Sequence, residues 1–326
     1  MSAGGLLSND RRLELARQIT AVENGTPGGR KALDDTFHLA GRAILIGITG
    51  APGTGKSSLV NQLAKYLRAE KHITVGIVAV DPSSPFTGGA ILGDRVRMRD
   101  LAGDEGIFIR SMASRGALGG LALATAGVVQ LLDAAGYEAV LIETVGAGQS
   151  EVEIARLAHT TLVVEAPGLG DDIQSIKAGI MEIADILVLN KADLPGVEST
   201  ERALRAALEL GYSAGVSGKS GHKQALDEPQ PVSGVWQPPV IKTVATQGVG
   251  MQELGDAIFD HREYLQSSDI LKQRSRERLL AEFDHLLRSL LLADWQQTHS
   301  QAQVDEVLEQ VYSRRLSPRQ AVERLL

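Results

Sequence analysis

The chain has no cysteine. Disulfides, thiolate metal sites and cysteine nucleophiles are thereby excluded, and the composition suits a reducing compartment. Its seven histidines are scattered, so no His/Cys segment of the kind that delivers metals is present. Basic charge is not in excess: 33 Lys and Arg stand against 40 Asp and Glu, for a net charge of −7. No broad basic footprint exists for nucleic acid, and no such partner is expected. A basic stretch followed by an apolar one is missing from the N-terminus, so no secretory signal is read. Long apolar runs are also missing. The longest uncharged stretch, 116–132, is glycine-rich, carries Thr125 and Gln130, and is shorter than the roughly 20 residues of a membrane span. It reads as a buried amphipathic helix. The expectation is a cytoplasmic protein with no membrane partner.

What remains is an ordinary globular composition, 43% hydrophobic and 22% charged over 326 residues. That length suffices for a large core and for one or two domains. The pattern organises around Gly50-Ala51-Pro52-Gly53-Thr54-Gly55-Lys56-Ser57, which reads G-x-x-x-x-G-K-S. An apolar run, 43–49, precedes it, and a helical repeat through Leu59, Leu63 and Leu67 follows. This strand–loop–helix context is that of a phosphate-binding P-loop. Its glycines let backbone N–H groups turn toward phosphate oxygens at a helix N-terminus. Lys56 would reach the β- and γ-phosphates, the Ser57 hydroxyl would ligate Mg²⁺, and Ser58 continues the helix start.

Residues 1–40 read as a helical arm. Asn9 or Asp10 caps a helix with Leu13, Ala16, Ile19 and Val22 on one side, 24–29 breaks it, and a second short helix runs near 31–39. Residues 41–265 read as the P-loop domain, in which strands and helices alternate from 43 to about 210, with strands expected at 43–49, 73–80, 107–110, 138–143, 160–166 and 185–190. Several are continuous apolar runs, the mark of strands covered on both faces. The fold class is α/β, a doubly wound, mainly parallel sheet whose ligands bind at the carboxyl ends of the strands. Residues 211–239, rich in Gly, Ser, Pro and Gln, read as a surface loop before a last strand at 240–245 and a helix at 251–265. Residues 266–326 are helical, with nine basic and nine acidic residues. Leu279, Phe283, Leu286 and Leu290 form an apolar stripe there, widened by Leu280, Leu287 and Leu291 and continued by Leu292 and Trp295. A helical hairpin covers part of such a stripe, and a second subunit could cover the rest.

Asn190-Lys191-Ala192-Asp193, at the end of the strand at 185–190, has the N-K-x-D form. The Asp carboxylate accepts from guanine N1–H and the exocyclic amine, and adenine offers no donor at N1. Val244, Ala245 and Thr246 occupy the place of a loop whose backbone N–H groups face the guanine oxygen; an ordinary strand-to-helix turn explains them equally well. Glu143-Thr144-Val145-Gly146 follows another buried strand, where a nucleotide hydrolase carries an acid and a glycine that senses the γ-phosphate. Gln149 on the following loop is a candidate to position water. Asp81 ends the second core strand and Asp94 lies beyond it. Mg²⁺ takes oxygen ligands and keeps several waters, so Ser57, Asp81, Asp94 and Glu143 can supply its shell between them, some through water.

These segments together, 50–58, 80–98, 143–151, 167–185 and 190–193, resemble the MeaB/ArgK family of GTPases that accompany adenosylcobalamin-dependent acyl-CoA mutases, chiefly methylmalonyl-CoA mutase. The resemblance spans about residues 10–326. It implies a P-loop protein of the SIMIBI class, a homodimer formed through a C-terminal helical extension. It implies GTP and GDP binding with Mg²⁺, slow GTP hydrolysis accelerated by the mutase, and gating of adenosylcobalamin transfer into the mutase together with its protection. By motif, Asp81, Asp94 and Glu143 match the family's Mg²⁺ and switch acids. Asp171, Asp172 and Lys177 match a further switch loop that relays nucleotide state to the mutase, and Arg97 falls in the same signalling region. Two other readings compete: an ATP-dependent kinase linked to arginine and ornithine transport, and a GTPase for metal-centre maturation. Asn190 and Asp193 weigh against the first, and the lack of metal-delivering Cys/His segments against the second. A non-hydrolytic adaptor is a third.

Overall fold

A computed structural model of the chain describes residues 6–82, 99–101, 103–114, 120–144, 156–168, 182–217 and 235–326. Contacts divide the chain into two compact units, Met1–Arg274 and Ser275–Leu326.

The first unit is built on a seven-stranded sheet: β1 Ile44–Thr49, β2 Val75–Pro82, β3 Ile107–Ser114, β4 Ala139–Thr144, β5 Thr160–Glu165, β6 Ile186–Leu189 and β7 Val240–Lys242. Their spatial order is β3-β2-β4-β1-β5-β6-β7, and all neighbours are parallel. The expected "mainly parallel" sheet is thus wholly parallel among the described residues. All six residues of β1 and of β4 are buried, as continuous apolar strands between two layers of helices require.

Alternation along β1 assigns its residues to opposite layers. Ile44, Ile46 and Ile48 pack with Leu59, Leu63 and Leu67 of α3 (Lys56–Ala69) and with Leu254 and Ile258 of the helix Met251–Ser267. Leu45 packs on the other side with Leu15 and Ile19 of α1 (Asn9–Glu23) and with Val128, Leu131 and Leu132 of α4 (Gly120–Ala134). The uncharged run at 116–132 is therefore largely α4, a buried helix. Among the described residues no helix is long and apolar enough to cross a membrane. Among the described residues, helices α2 (Pro27–Thr36) and α5 (Val197–Ser217) also belong to this unit, and Met251–Ser267 is α6.

The arm departs from expectation in three details. Ser8, not Asn9 or Asp10, caps α1, its hydroxyl accepting from the Arg11 N–H. Asn9 and Asp10 are already helical, and Ser8 holds the extended backbone that a cap requires. Leu13 is exposed, while Leu15, Ile19 and Val22 form the buried face, a spacing of four and three that suits one helical stripe. Thr26 caps α2 with Pro27 in its first turn, four residues ahead of the expected start.

Two boundaries also shift at the other end. The stretch expected to be loop from 211 continues α5 as far as Ser217. Gly211 and Gly215 read as breakers, but a helix already nucleated tolerates single glycines at about 1 kcal/mol each. The last strand stops at Lys242, and Ala245–Gln247 form one 3-10 turn.

Helix α7 (Ile270–Thr298) begins in the first unit and continues into the second. Helices α8 (Gln301–Tyr312) and α9 (Pro318–Leu325) each open with a capping box, from Ser300 with Gln303 and from Ser317 with Gln320. Within this unit the Trp295 indole N–H donates to Leu325 O at 2.7 Å, and Arg324 donates to Gln310. Phe283 and the leucines of α7 from Leu279 to Leu292 remain exposed.

Candidate functional site

Strand order decides which groups meet. The chain moves from β1 outward to β2 and β3, returns to place β4 beside β1, then crosses to β5, β6 and β7. The carboxyl ends therefore line up with Asp81 (β2), Glu143 (β4), the loop after β1, Asn190 (after β6) and Thr243 (after β7) in that spatial sequence. Acids and the glycine loop share one half of the edge, and the N-K-x-D segment the other. A cleft of about 470 Å³ opens there. Pro52, Gly53, Gly55, Lys56, Ser57, Ser58, Val80, Glu143, Thr144 and Lys191 line it.

The loop depends on its glycines. Gly50 has φ of 138°, and a Cβ there would sit 2.1 Å from Val164 O on β5. Gly55 has φ of 94°, and its Cβ would lie 2.4 Å from Asn190 Nδ2. Both positions combine a left-handed backbone with a close approach, so only glycine fits. The turn delivers the N-terminus of α3 into the cleft, where the helix dipole favours anions. Ala51 and Thr54 close the loop on itself, since both the N–H and the hydroxyl of Thr54 donate to Ala51 O.

Lys56 is buried, its ammonium donating to Gly50 O at 2.8 Å and Ala51 O at 3.0 Å. A cation is thus curled over the centre of the loop, where an incoming phosphate can take it from two carbonyls. The Ser57 hydroxyl donates to Glu143 Oε1 at 2.6 Å, both side chains buried. Thr144, one residue on, donates to Thr49 Oγ1 at 3.2 Å and so ties the end of β4 to the end of β1. Thr144 stands inside the Glu143–Gly146 segment but had no role assigned there, and the only signal at Thr49 was its position at a strand end.

On the other half, Asn190 is buried and fully built into the protein. Its Nδ2 donates to Thr54 O at 2.8 Å, while Oδ1 accepts from the Thr243 hydroxyl and the Ala245 N–H, each at 3.1 Å. Lys191 has a left-handed backbone, φ of 56°, and its ammonium donates to Gly53 O at 2.7 Å. Asp193 is exposed on the turn that follows. Val244 and Ala245 are buried and Thr246 is exposed beside them.

The structure thus brings together the P-loop, Glu143, Asn190, Lys191 and the 244–246 turn on one edge. Asp81 is placed by its backbone, paired with Ala113 at the end of β2. Asp94, Arg97, Gly146, Gln149, Asp171, Asp172 and Lys177 lie outside the described residues. Among the described residues no group of three His, Cys, Asp or Glu side chains forms a metal cluster.

Comparison with known proteins follows the same line. The family model for the methylmalonyl Co-A mutase-associated GTPase MeaB matches residues 15–300. A putative GTPase of Pyrococcus abyssi is 44% identical over 317 residues, covering 97% of this chain and 92% of the relative. The mitochondrial methylmalonic aciduria type A homolog of Caenorhabditis elegans is 29% identical, covering 98% and 80%. A crystal structure described as that of an LAO/AO transport system kinase superposes with a TM-score of 0.65 at 27% identity, covering 98% of each chain.

Proposed function

The chain belongs to the MeaB family of methylmalonyl-CoA mutase-associated GTPases, a P-loop protein of the SIMIBI class, and from that premise we propose that it is a GTP-hydrolysing chaperone of an adenosylcobalamin-dependent acyl-CoA mutase. Methylmalonyl-CoA mutase is the partner this reading favours, and the work done there is gating of cofactor delivery and protection of the mutase. The observation that carries the reading is the pairing, on one sheet edge, of a complete P-loop with an N-K-x-D segment locked to it through Asn190 and Thr54. The naming of a relative as a methylmalonic aciduria type A homolog supports the choice of mutase.

In this reading Gly50 to Ser58 cradle the phosphates, and Lys56 releases its two carbonyls to neutralise charge on the β- and γ-phosphates. Lys191, Asp193 and the turn at Val244, Ala245 and Thr246 receive the guanine. Phosphoryl transfer needs positioning and charge stabilisation more than covalent help, and these residues supply both. The Ser57 hydroxyl and the Glu143 carboxylate, 2.6 Å apart and buried, are hard oxygen donors that suit Mg²⁺. With Asp81 and Asp94 they would hold the ion, which when bound neutralises charge on the bridging oxygens. Gln149 is the water-positioning candidate, and Arg97, Gly146, Asp171, Asp172 and Lys177 the coupling residues. A slow intrinsic rate follows if partner contact completes the site. Coupling is then a population shift, in which GTP and the mutase favour the same conformation. The exposed leucines of α7 and Phe283 would be covered in a homodimer, and the setting would be the cytoplasm.

The transport-kinase reading draws on the description of the superposed crystal structure. Affinities separate the two. GDP and GTP analogues should bind at least about a hundred-fold tighter than their adenine counterparts, since adenine leaves the Asp193 carboxylate unpaired. Purified mutase should be retained on the immobilised protein in a nucleotide-dependent way. Tighter binding of ATP analogues, or no retention with any nucleotide, would sink the proposal.

A further inference from the structure

The N-K-x-D turn is held by a residue that lies outside it. Thr243, which follows β7 and is fully buried, grips the turn at three points. Its N–H donates to Leu189 O at 2.9 Å, just before Asn190. Its carbonyl accepts from the Ala192 N–H at 3.0 Å, inside the motif. Its hydroxyl donates to Asn190 Oδ1 at 3.1 Å. Between these grips lies Lys191 with its φ of 56°. A left-handed backbone at a non-glycine residue persists when its surroundings over-determine it, and the two backbone bonds of Thr243 do so.

The orientation of the Asn190 amide follows from what its partners can do. The Ala245 N–H can only donate, so the atom facing it is Oδ1. The Thr54 carbonyl can only accept, so the atom facing it is Nδ2. The Thr243 hydroxyl, able to do either, must donate and takes the other lone pair of Oδ1. With Oδ1 saturated, the amide's donor side is directed at the P-loop. Gly55 packs against the same nitrogen so closely that a Cβ there would overlap it. One buried amide therefore sets the spacing between the phosphate end and the base end of the cleft.

We propose that Thr243 is a positioning residue for guanine-nucleotide binding, acting through Asn190 and the backbone of Lys191 and Ala192. This rests on the guanine-nucleotide reading above. Replacing the hydroxyl with a methyl group leaves a lone pair of a buried carbonyl oxygen without a donor and frees the amide to turn. Because the grip is at the base end, GDP and GTP lose equally, and turnover of bound GTP does not change.

The test uses the full chain and the variants T243V, T243S and T243A. Dissociation constants for GDP and ADP, and KM and kcat for GTP, are measured at a temperature where circular dichroism shows each variant folded. T243V should raise the GDP Kd and the GTP KM together by about ten-fold, with kcat within about two-fold of wild type, and T243S should restore both. If T243V does not fold, T243A carries the same comparison. Nucleotide affinity within about two-fold of wild type, a fall in kcat of the same size as the rise in KM, or a T243S variant as defective as T243V would overturn the proposal. Equal affinity of the wild-type chain for ADP and GDP would instead defeat the guanine reading on which it rests.

Discussion

Selectivity at this site comes down to a few side chains whose chemistry admits one partner each. An Asp193 carboxylate only accepts, so it suits the N1–H and exocyclic amine of guanine. Asp193→Asn replaces an acceptor with an amide that also donates. Xanthine carries a carbonyl where guanine has its amine, so the variant should lose GTP affinity by about a hundred-fold or more and gain affinity for XTP. Competition binding with both nucleotides checks this; a variant that still prefers GTP would place guanine recognition elsewhere. Much at this scale was legible because it is contiguous: the P-loop and the N-K-x-D segment are spelled out in unbroken runs. Thr243 was not legible. It comes one residue before the segment that drew attention, and its importance lies in hydrogen bonds to a stretch about fifty residues earlier in the chain. Thr144 pairing with Thr49 was hidden for the same reason.

Elements are joined at the opposite edge of the sheet by a buried polar network. Asp185, just before β6, takes Arg274 of α7 at both carboxylate oxygens, at 3.0 and 3.2 Å, and accepts from the Thr161 N–H of β5 at 2.8 Å. His261 of α6 lies 3.3 Å from the same carboxylate through Nε2, with Nδ1 at 2.9 Å from the Thr160 hydroxyl, and Trp236 packs against its ring at a tilt of 49°. Burial holds His261 down at about 4, against a pull upward from Asp185 and with a push downward from Arg274. The ordinary value is 6.5. As pH falls through that value the unfolded chain takes a proton that the folded chain refuses, so this part of the stability is intact above 6.5 and is lost progressively toward 4. Between pH 7 and pH 5 the loss is about 2 kcal/mol. Urea unfolding at the two pH values should show a drop smaller by about that amount in H261Q than in wild type. Equal drops would mean that His261 is not held neutral in the fold. No motif announces this network, because its members come from five separate segments. The strands themselves were legible from their apolar runs. The end of α5 was misread because local glycines were weighed more heavily than the helix they continue.

The whole molecule presents an α/β unit and a helical unit whose long helix leaves apolar side chains uncovered. On α7, Leu279 is 42% exposed, Phe283 64% and Leu290 65%. A run this size is the kind of surface that subunits cover, and the homodimer proposed above would do so. Light scattering should give the mass of a dimer for wild type and of a monomer for the double variant F283D/L290D, with its P-loop unit still binding GDP. A wild-type monomer at tens of micromolar, or a variant that stays dimeric, would remove α7 from the interface. Sequence reached this surface through the spacing of its leucines, whereas the caps that delimit α8 and α9, at Ser300 and Ser317, were not read from it, although each serine is followed three residues on by a glutamine.

The proposed function is hydrolysis of GTP timed by a mutase, and phosphate release tests that most directly. GTP turnover by the purified chain is measured alone and with saturating adenosylcobalamin-dependent methylmalonyl-CoA mutase, with Lys56→Ala as the background. Slow release is expected alone, with a rise of about ten-fold or more with the mutase, no such rise with ATP, and loss of both rates in the variant. A rate unchanged by the mutase, with the protein otherwise active on GTP, would contradict the proposed function.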